Sequence, residues 1–255
     1  MTVITTAQEG ASALAEVIRG AERILAFTGA GISTECGVPD FRSPGSPWMV
    51  NKPIPYEAFL ASAEVRREAW RRKFTMDDHY RGARPGRGHR ALARLHEEGR
   101  LIGVVTQNID GLHLASGIPA ERIVELHGNG TYATCLDCGL RHELADIRPV
   151  FEATGAAPVC QDCRGPVKSA TVSFGQAMPE QAMRKALAMV AACDVFIAIG
   201  SSLVVQPAAR LPVMARQTGA ELVILNGEPT PVDAVSNLVV RADIGDVLEA
   251  ATVPQ

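Results

Sequence analysis

The sequence lacks three features that would assign the protein to common classes. It has no apolar run close to the ~18 residues that a membrane-spanning helix needs. Its first residues, MTVITTAQEG, have neither the basic stretch nor the apolar stretch of a secretory signal. It also lacks an excess of positive charge, because 25 Lys and Arg residues are set against 28 Asp and Glu residues. We therefore expect a cytoplasmic protein with no membrane partner and no direct nucleic-acid binding.

Cysteine is scarce outside one pattern. Four of the six cysteines form two Cys-x-x-Cys pairs separated by 21 residues, namely Cys135, Cys138, Cys160 and Cys163. Disulfides are disfavoured without an export signal, and a redox function would explain one such pair but not two. Two tight turns with two thiolates each can form a closed tetrahedral site, so we predict one structural Zn²⁺ per chain. Cys36 and Cys193 stand alone, and we expect both to be small buried residues.

Short, continuously apolar segments alternate with helical patterns along most of the 255 residues. The predicted strands are Arg23–Phe27, Leu101–Val105, Ile123–Leu126, Thr171–Phe174, Val195–Ile199, Leu222–Leu225 and Leu238–Val240. The predicted helices are Ser12–Ala21, His89–Glu98, Glu180–Ala192, Ala208–Thr218 and Gly245–Ala251. This alternation is typical of a parallel sheet that is covered on both faces. The sequence therefore predicts an α/β fold with a doubly wound, Rossmann-like parallel sheet.

Two segments do not fit this alternation. Residues 43–88 begin rich in proline and glycine and then become helical and charged, and residues 129–168 contain the paired cysteines. We interpret both as insertions that together form a smaller helical and zinc-binding domain, with a cofactor loop in the first. The predicted Rossmann-like domain is therefore discontinuous and comprises residues 1–42, 89–128 and 169–255.

The segment of residues 66–94 is strongly basic. It contains 10 of the 25 Lys and Arg residues and only three acids, Glu68, Asp77 and Asp78. The plainer interpretation is a solvated helical face. The alternative is a basic rim that attracts an acidic partner surface.

Small and polar residues follow several of the predicted strands. Gly29 and Gly31 come directly after the first strand and would let the backbone approach a pyrophosphate, although Thr34 replaces the third glycine of the dinucleotide-binding pattern. Two later strands are followed by Gly200, Ser201, Ser202 and by Asn226, Gly227, Glu228. Because the carboxyl ends of parallel strands meet at one edge of a sheet, these residues predict a nucleotide-binding crevice.

The segment TQNIDGLH places Gln107, Asn108 and Asp110 after another strand of the same sheet. These side chains could cap the next helix, or they could bind a carboxamide and a ribose in the crevice. His127 ends the following strand. A lone histidine at such a position is often structural, but one beside Asn108 and Asp110 is a candidate general base near neutral pH.

Seven motifs, taken together, resemble those of sirtuins, the NAD-dependent protein-lysine deacylases. They are GAGISTECGVPDFRS, TQNIDGLH, ELHG, the two Cys-x-x-Cys pairs, VSFG, GSSLVVQP and LNGEP, in the sirtuin order, and the resemblance covers roughly residues 10–250. It implies that NAD is a co-substrate and that an acyl-lysine oxygen attacks the ribose carbon bearing nicotinamide, which leaves. His127 then corresponds to the base that activates a ribose hydroxyl, and the products are free lysine and O-acyl-ADP-ribose.

The resemblance also implies the residues that contact NAD. Asn108, Asp110, Ile32 and Phe41 correspond to the residues of the nicotinamide pocket. We predict that Asn108 is also catalytic, together with His127. Further implied contacts are Gly29, Ala30, Gly31, Asp40, Arg42, Gln107 and Ile109 near the reacting end, Gly200, Ser201, Ser202, Asn226, Gly227 and Glu228 near the phosphates and adenosine, and Ala242 at the adenine.

The acyl-lysine protein substrate is implied to bind as an added strand between residues 173–176 and 203–206. Val172, Phe174, Gly175 and Leu203 are the predicted contacts, and Val172 and Phe174 would line the tunnel for the lysine stem. Many sirtuins have an acid where this chain has Gln176, a difference that bears on peptide preference.

The helix after the cofactor loop bears on the acyl group. Sirtuins that remove succinyl groups carry a Tyr-x-x-Arg pair on this helix, and aligning Trp70 with the preceding tryptophan puts Lys73 and Met76 at those two positions. Methionine cannot supply the bidentate clamp of an arginine. We therefore expect an uncharged acyl group to be preferred over succinyl.

Two other functions remain open. A non-catalytic reader of NAD or ADP-ribose would use the same crevice, although it would not need His127. A protein mono-ADP-ribosyltransferase would use the same cleavage of NAD. A hydride-transferring dehydrogenase is disfavoured because no further group is left to polarise its substrate.

Overall fold

The computed structural model describes residues 2–40, 46 and 53–253, so the predicted cofactor contacts Phe41 and Arg42 lie outside the described residues. The strands are β1 (Thr2–Ile4), β2 (Ile24–Thr28), β3 (Leu101–Thr106), β4 (Ile123–Glu125), β5 (Gly128–Cys135), β6 (Arg141–Glu143), β7 (Val167–Thr171), β8 (Val195–Ile199), β9 (Glu221–Leu225) and β10 (Leu238–Val240). Seven of them form a sheet in the order β1-β10-β9-β8-β2-β3-β4, and every pairing in it is parallel. The predicted fold class is confirmed.

Helices cover both faces of this sheet. They are α1 (Ala7–Gly20), α2 (Tyr56–Ala61), α3 (Ala63–His79), α4 (Arg87–Glu97), α5 (Leu112–Ala115), α6 (Leu144–Thr154), α7 (Glu180–Ala192), α8 (Leu211–Gln217) and α9 (Ile244–Ala251). The apolar residues of α1, α4 and α9 pack on one face, and those of α7 and α8 pack on the other. Among the described residues, no helix is long and apolar enough to cross a membrane.

Two local predictions differ from the structure. The helix predicted from Ser12 begins at Ala7, because the Thr6 hydroxyl accepts a hydrogen bond from the Glu9 amide and caps it there. The strand predicted over Thr171–Phe174 is wrong. The strand in this region, β7, ends at Thr171 and pairs antiparallel with β5 in a second sheet. The apolar residues that follow belong to an irregular segment, so periodicity alone placed the strand four residues too late.

The second sheet has three strands in the order β6-β5-β7. Its core also contains α3, because the Trp70 indole donates to the Val167 carbonyl at 3.0 Å and Phe74 packs beside Phe151 with ring centroids 5.6 Å apart. Residues from both predicted insertions therefore share one small core. The boundaries of the two domains stay a prediction, although the small sheet itself runs from Gly128 to Thr171.

The two sheets meet at a pair of chain crossings, residues 126–128 and 171–172, which we call the junction. The Leu126 amide donates to the Thr106 carbonyl in the large sheet, and the Val172 amide donates to the His127 carbonyl at 2.8 Å. Gly128 has φ +73°, and a Cβ atom there would lie 2.1 Å from the Ala170 carbonyl oxygen. Only glycine fits at this crossing.

The basic segment 66–94 is largely neutralised within the molecule. Six of its cations pair with carboxylates, namely Arg67, Arg71, Arg72, Lys73, Arg81 and Arg87. Three more, Arg66, Arg90 and Arg94, donate to carbonyl or hydroxyl oxygens. These pairings favour the plainer of the two interpretations, a solvated helical surface.

Candidate active site

The loop after β2 packs tightly against the loop after β8. The Gly31 amide donates to the Gly200 carbonyl at 2.9 Å. A Cβ atom on Gly29 would lie 2.6 Å from the Gly200 oxygen, and one on Gly31 would lie 2.7 Å from the Gly200 Cα. The glycines of this loop are therefore required for packing of backbone against backbone, in addition to any approach of a phosphate.

Asn108 and Asp110 are joined through a serine that the sequence did not single out. The buried Asn108 amide donates to the Gly29 carbonyl and to the Ser33 hydroxyl, both at 3.1 Å. The Ser33 hydroxyl donates to Asp110 at 2.8 Å, and the other Asp110 oxygen accepts from the Leu112 amide at 2.9 Å. Asp110 thus accepts from the first amide of α5, as the capping alternative predicts, whereas its binding of a ligand in the crevice stays a prediction.

Two buried histidines lie behind this group. His113 contacts the Thr28 hydroxyl at 2.8 Å, and Thr28 donates to Thr106. His89 lies 3.4 Å from the Ser33 hydroxyl and stacks at 4.9 Å from His113. Burial lowers the pKa of both imidazoles, that of His113 well below its usual range, so both are neutral. No role was predicted for either residue, although His113 is the last residue of the segment TQNIDGLH.

Gln107 links three strand ends. Its side-chain oxygen accepts from the Ser201 hydroxyl at 2.7 Å, and its carbonyl oxygen lies 3.1 Å from Nδ1 of His127. A carbonyl oxygen can only accept, so Nδ1 carries the proton and the neutral ring keeps its lone pair on Nε2. Burial lowers the pKa of His127, with partial opposition from the Gln107 bond. At pH 7 this side chain is a neutral base held in one tautomer.

A cavity of about 300 Å³ lies at the carboxyl end of β9. Its lining includes the predicted residues Gly31, Ile32, Asp40, Asn226, Gly227, Glu228 and Ala242. It also includes Glu35 and Asp243, which the sequence did not single out and which Arg87 bridges at 2.8 and 3.1 Å. The described lining contains four acids and no base. Carboxylates are suited to ribose hydroxyl groups and disfavour an additional phosphate.

Cys36 does not match its prediction fully. It is half-buried and lies on the loop that borders the crevice, with its sulfur 3.8 Å from Nδ1 of His89. It ends a 3₁₀ turn, Thr34–Cys36, in which no residue is buried. Cys193 is buried as predicted.

A second cavity, of about 250 Å³, lies between the end of α3 and the loop after β3. Asp77, Tyr80, Ile109 and Asp110 are among its lining residues. The Lys73 ammonium, largely shielded from solvent, is paired with Asp77, which also accepts from the Tyr80 hydroxyl at 3.1 Å. Met76 is buried. The positive charge that the sequence places on this helix face is therefore neutralised.

Both predicted substrate segments contain exposed residues. The Phe174 side chain is 61% exposed, and its carbonyl accepts from the Tyr56 amide at 2.9 Å. Gln176 folds back and accepts from the Ser173 amide at 3.1 Å, so it closes a turn. In the other predicted segment, Leu203 is buried with φ +52°. Val172 is partly buried and Gly175 has φ +81°.

The four paired cysteines form one cluster. Their sulfur atoms all lie within 4.8 Å of one another, with Cys135–Cys163 at 3.4 Å and Cys138–Cys160 at 3.6 Å. A tetrahedral zinc with Zn–S bonds of about 2.3 Å needs sulfur separations of roughly 3.8 Å, so the donor set fits Zn²⁺. Cys135 ends β5, whereas His127 precedes its first residue, so the cluster and the histidine lie at opposite ends of this strand.

Known proteins resemble this chain over most of its length. The family model described as the Sir2 family matches residues 29–207. NAD-dependent protein deacetylase 1 of Bradyrhizobium diazoefficiens is 55% identical over 241 residues, which are 94% of each chain. NAD-dependent protein deacetylase of Rhodopseudomonas palustris is 55% identical over 239 residues, again 94% of each chain.

Solved structures of Sir2 proteins also resemble this chain over most of its length. A Sir2 protein with a p53 peptide and NAD⁺ aligns with a TM-score of 0.80 at 33% identity, and the alignment covers 91% of this chain and 93% of that chain. Sir2Af2 bound to a myristoylated histone peptide aligns with a TM-score of 0.78 at 32% identity, over 96% and 95% of the two chains.

Proposed function

The chain belongs to the Sir2 family, the sirtuins, and on that premise we propose that it is an NAD-dependent protein-lysine deacetylase. It consumes NAD, an acyl-lysine protein and one water molecule, and it releases nicotinamide, O-acyl-ADP-ribose and the protein with a free lysine side chain. The observation that carries this function is the tautomer of His127. A neutral imidazole with its lone pair on Nε2, at the sheet edge that also holds Asn108 and Asp110, is suited to take a proton from a ribose hydroxyl.

His127 and Asn108 are the catalytic residues of this proposal. His127 accepts the proton of the ribose hydroxyl, which then attacks the imidate formed from the acyl-lysine and the ribose carbon. Both amide protons of Asn108 are engaged by Gly29 and Ser33, so its side-chain orientation is held rigidly. Such fixed orientation supports a role in holding the reacting end of NAD.

The NAD contacts follow the carboxyl edge of the large sheet. We assign Ile32, Ile109 and Asp110 to the nicotinamide end, together with Phe41, which lies outside the described residues. The remaining contacts are Gly29, Ala30, Gly31, Asp40, Gln107, Gly200, Ser201, Ser202, Asn226, Gly227, Glu228 and Ala242, and Arg42 outside the described residues. The acid-lined cavity beside Glu228 supports NAD, with its free ribose hydroxyls, as the nucleotide.

The protein substrate is an acyl-lysine segment in extended form. We propose that it pairs with backbone groups of residues 173–176 and 203–206, with Val172, Phe174, Gly175 and Leu203 as contacts. The exposed Phe174 and the exposed Val204 and Val205 provide an apolar border for this segment. Sir2 structures with bound p53 and histone peptides support a peptide partner at this family site.

Zn²⁺ is a structural component bound by Cys135, Cys138, Cys160 and Cys163, and it takes no part in the reaction. Four thiolates remain available to a metal most readily in a reducing compartment, so we propose a cytoplasmic location. The absence of a direct nucleic-acid partner stays a prediction.

Incubating the protein with labelled NAD and an acetyl-lysine peptide tests the function, with the unmodified peptide as control. We expect nicotinamide release only with the acetylated peptide, in equal amount to the free lysine formed. Transfer of label to protein would instead identify a mono-ADP-ribosyltransferase. Binding of NAD without any turnover would identify a reader.

A further inference from the structure

Lys168 is a buried lysine with an unusual set of partners. It lies on β7, and only 5% of the residue is exposed. Its ammonium donates to the Ser169 carbonyl at 3.3 Å and to the Thr171 carbonyl. Among the described residues, no carboxylate forms an ion pair with it, whereas the shielded Lys73 is paired with Asp77. Burying a charge without a counter-ion is costly, so the carbonyl contacts must compensate for lost hydration.

The contact with Thr171 fixes one peptide group at the junction. The carbonyl of Thr171 and the amide of Val172 belong to the same peptide unit. The carbonyl accepts from Lys168, and the amide donates to the His127 carbonyl at 2.8 Å. The lysine and the backbone of the histidine therefore hold this peptide unit from its two sides.

The regular sheet is interrupted at the same place. Along β5 and β7 the register passes from Ala133–Ser169 directly to Gly128–Thr171, so residues 129–132 bulge away from the ladder. The ammonium lies on the two carbonyls that border this break. A cation with three donors can stabilise an irregular strand end that ladder bonds alone do not secure.

We propose that Lys168 is a positioning residue that orients the peptide-binding segment, residues 172–176, relative to His127. This role rests on the proposed function, because it concerns the protein substrate of that reaction. The proposed NAD contacts lie at the ends of β2, β3, β8 and β9, whereas the ammonium of Lys168 donates to carbonyls of β7. The role therefore predicts an effect on the peptide and not on NAD.

The charge of the Lys168 ammonium allows a second test of this role, by varying the pH. Burial lowers the pKa of Lys168 to about 8. No charged group in the described part of the chain contributes to this shift, and the residue that pairs with Lys168 on β5 is the uncharged Thr134. The ammonium is present below that pKa and is lost as pH rises through it. Peptide binding should weaken in that range.

Steady-state kinetics of Lys168→Met and Lys168→Arg test the role, with KM measured separately for an acetyl peptide and for NAD. We expect Lys168→Met to raise the peptide KM by about tenfold and to leave the NAD KM within about twofold, while the arginine recovers most of the loss. Lys185→Met is the matched control, because Lys185 also donates to a carbonyl, that of Glu121, but at an exposed site away from the junction.

The wild-type enzyme is also measured from about pH 7 to pH 9 with a peptide that lacks groups titrating in that range. We expect the peptide KM to rise above about pH 8 in the wild type and to stay flat in Lys168→Arg. An unchanged peptide KM in a folded Lys168→Met variant would refute the role, as would equal rises in both KM values. If Lys168→Met loses zinc or fails to fold, a flat wild-type pH profile refutes it. Absence of any acetyl-dependent turnover by the wild type would instead refute the proposed function, and this role with it.

Discussion

β2 and β8 bury all five of their residues, whereas β6 of the small sheet buries none and β7 buries two. The large sheet is sandwiched between two apolar clusters, and the small sheet packs on one side against α3. Apolar burial alone can secure the first region, so its polar strand ends are available for ligands. The second region has too little apolar surface and depends on bonds to a metal.

Removing the metal ligands should produce the largest effect. Structural zinc contributes about 10–16 kcal/mol in zinc-finger peptides, far more than the small core can replace. We expect Cys135→Ser with Cys163→Ser to lose the single zinc by elemental analysis, to lose deacylation and to become sensitive to protease within residues 129–168. Cys193→Ser, in the core of the large sheet, should keep its zinc. Full activity of the double variant would show that the two regions do not differ as described.

Changing the histidine at the edge of the large sheet should remove catalysis without unfolding either region. A general base contributes about 10²–10⁴-fold to a rate, so we expect a loss of that order in kcat for His127→Tyr, with zinc content and thermal midpoint nearly unchanged. His79→Tyr is the matched control, because the His79 ring nitrogen also contacts a carbonyl oxygen, that of Thr75 at 2.6 Å. Near-normal turnover of His127→Tyr at saturating NAD would exclude it as the base.

Helix α3, which packs in the small region, should determine which acyl group the enzyme removes most efficiently. Since Asp77 neutralises Lys73 and Met76 is buried, we expect kcat/KM to be higher for acetyl-lysine and butyryl-lysine than for succinyl-lysine on one peptide, by about tenfold or more. Asp77→Asn frees the ammonium and should narrow this ratio. A higher kcat/KM of the wild type for succinyl-lysine than for acetyl-lysine would contradict the view that Asp77 neutralises the positive charge of this helix face.

The smallest expected effect is on the pH profile. Because the pKa of His127 is lowered, the neutral imidazole already predominates at pH 6.5, the ordinary pKa of a histidine. The neutral form is lost only as the pH falls further. We expect kcat/KM to drop by less than about tenfold between about pH 6.5 and pH 5.5, and not to rise above pH 7. An acidic midpoint at or above pH 7 would mean that another group controls the rate.

The features that could be predicted from the sequence are those that a short segment or a regular residue spacing defines. Five-residue apolar runs such as Val195–Ile199 identify buried parallel strands, and the spacing of the cysteines identifies their cluster. The three-residue β1 was not predicted, because so short an edge strand carries no periodicity. Ser33 and His89 were not predicted either. Their positions depend on loops that meet only in the folded chain, 56 residues apart in sequence.

The hydrogen bond between Trp70 and Val167 joins residues that are 97 positions apart. A ribosome that adds about 5–20 residues per second brings out α3 roughly 5–20 s before β7 exists to receive it. During that interval Trp70 and Phe74 have no finished core, while β3 and β4 are already emerging. The small region can form its core once β7 has emerged, whereas the large sheet must still wait for β8, β9 and β10. A fragment cut to residues 129–168 would lack the helix that covers its sheet.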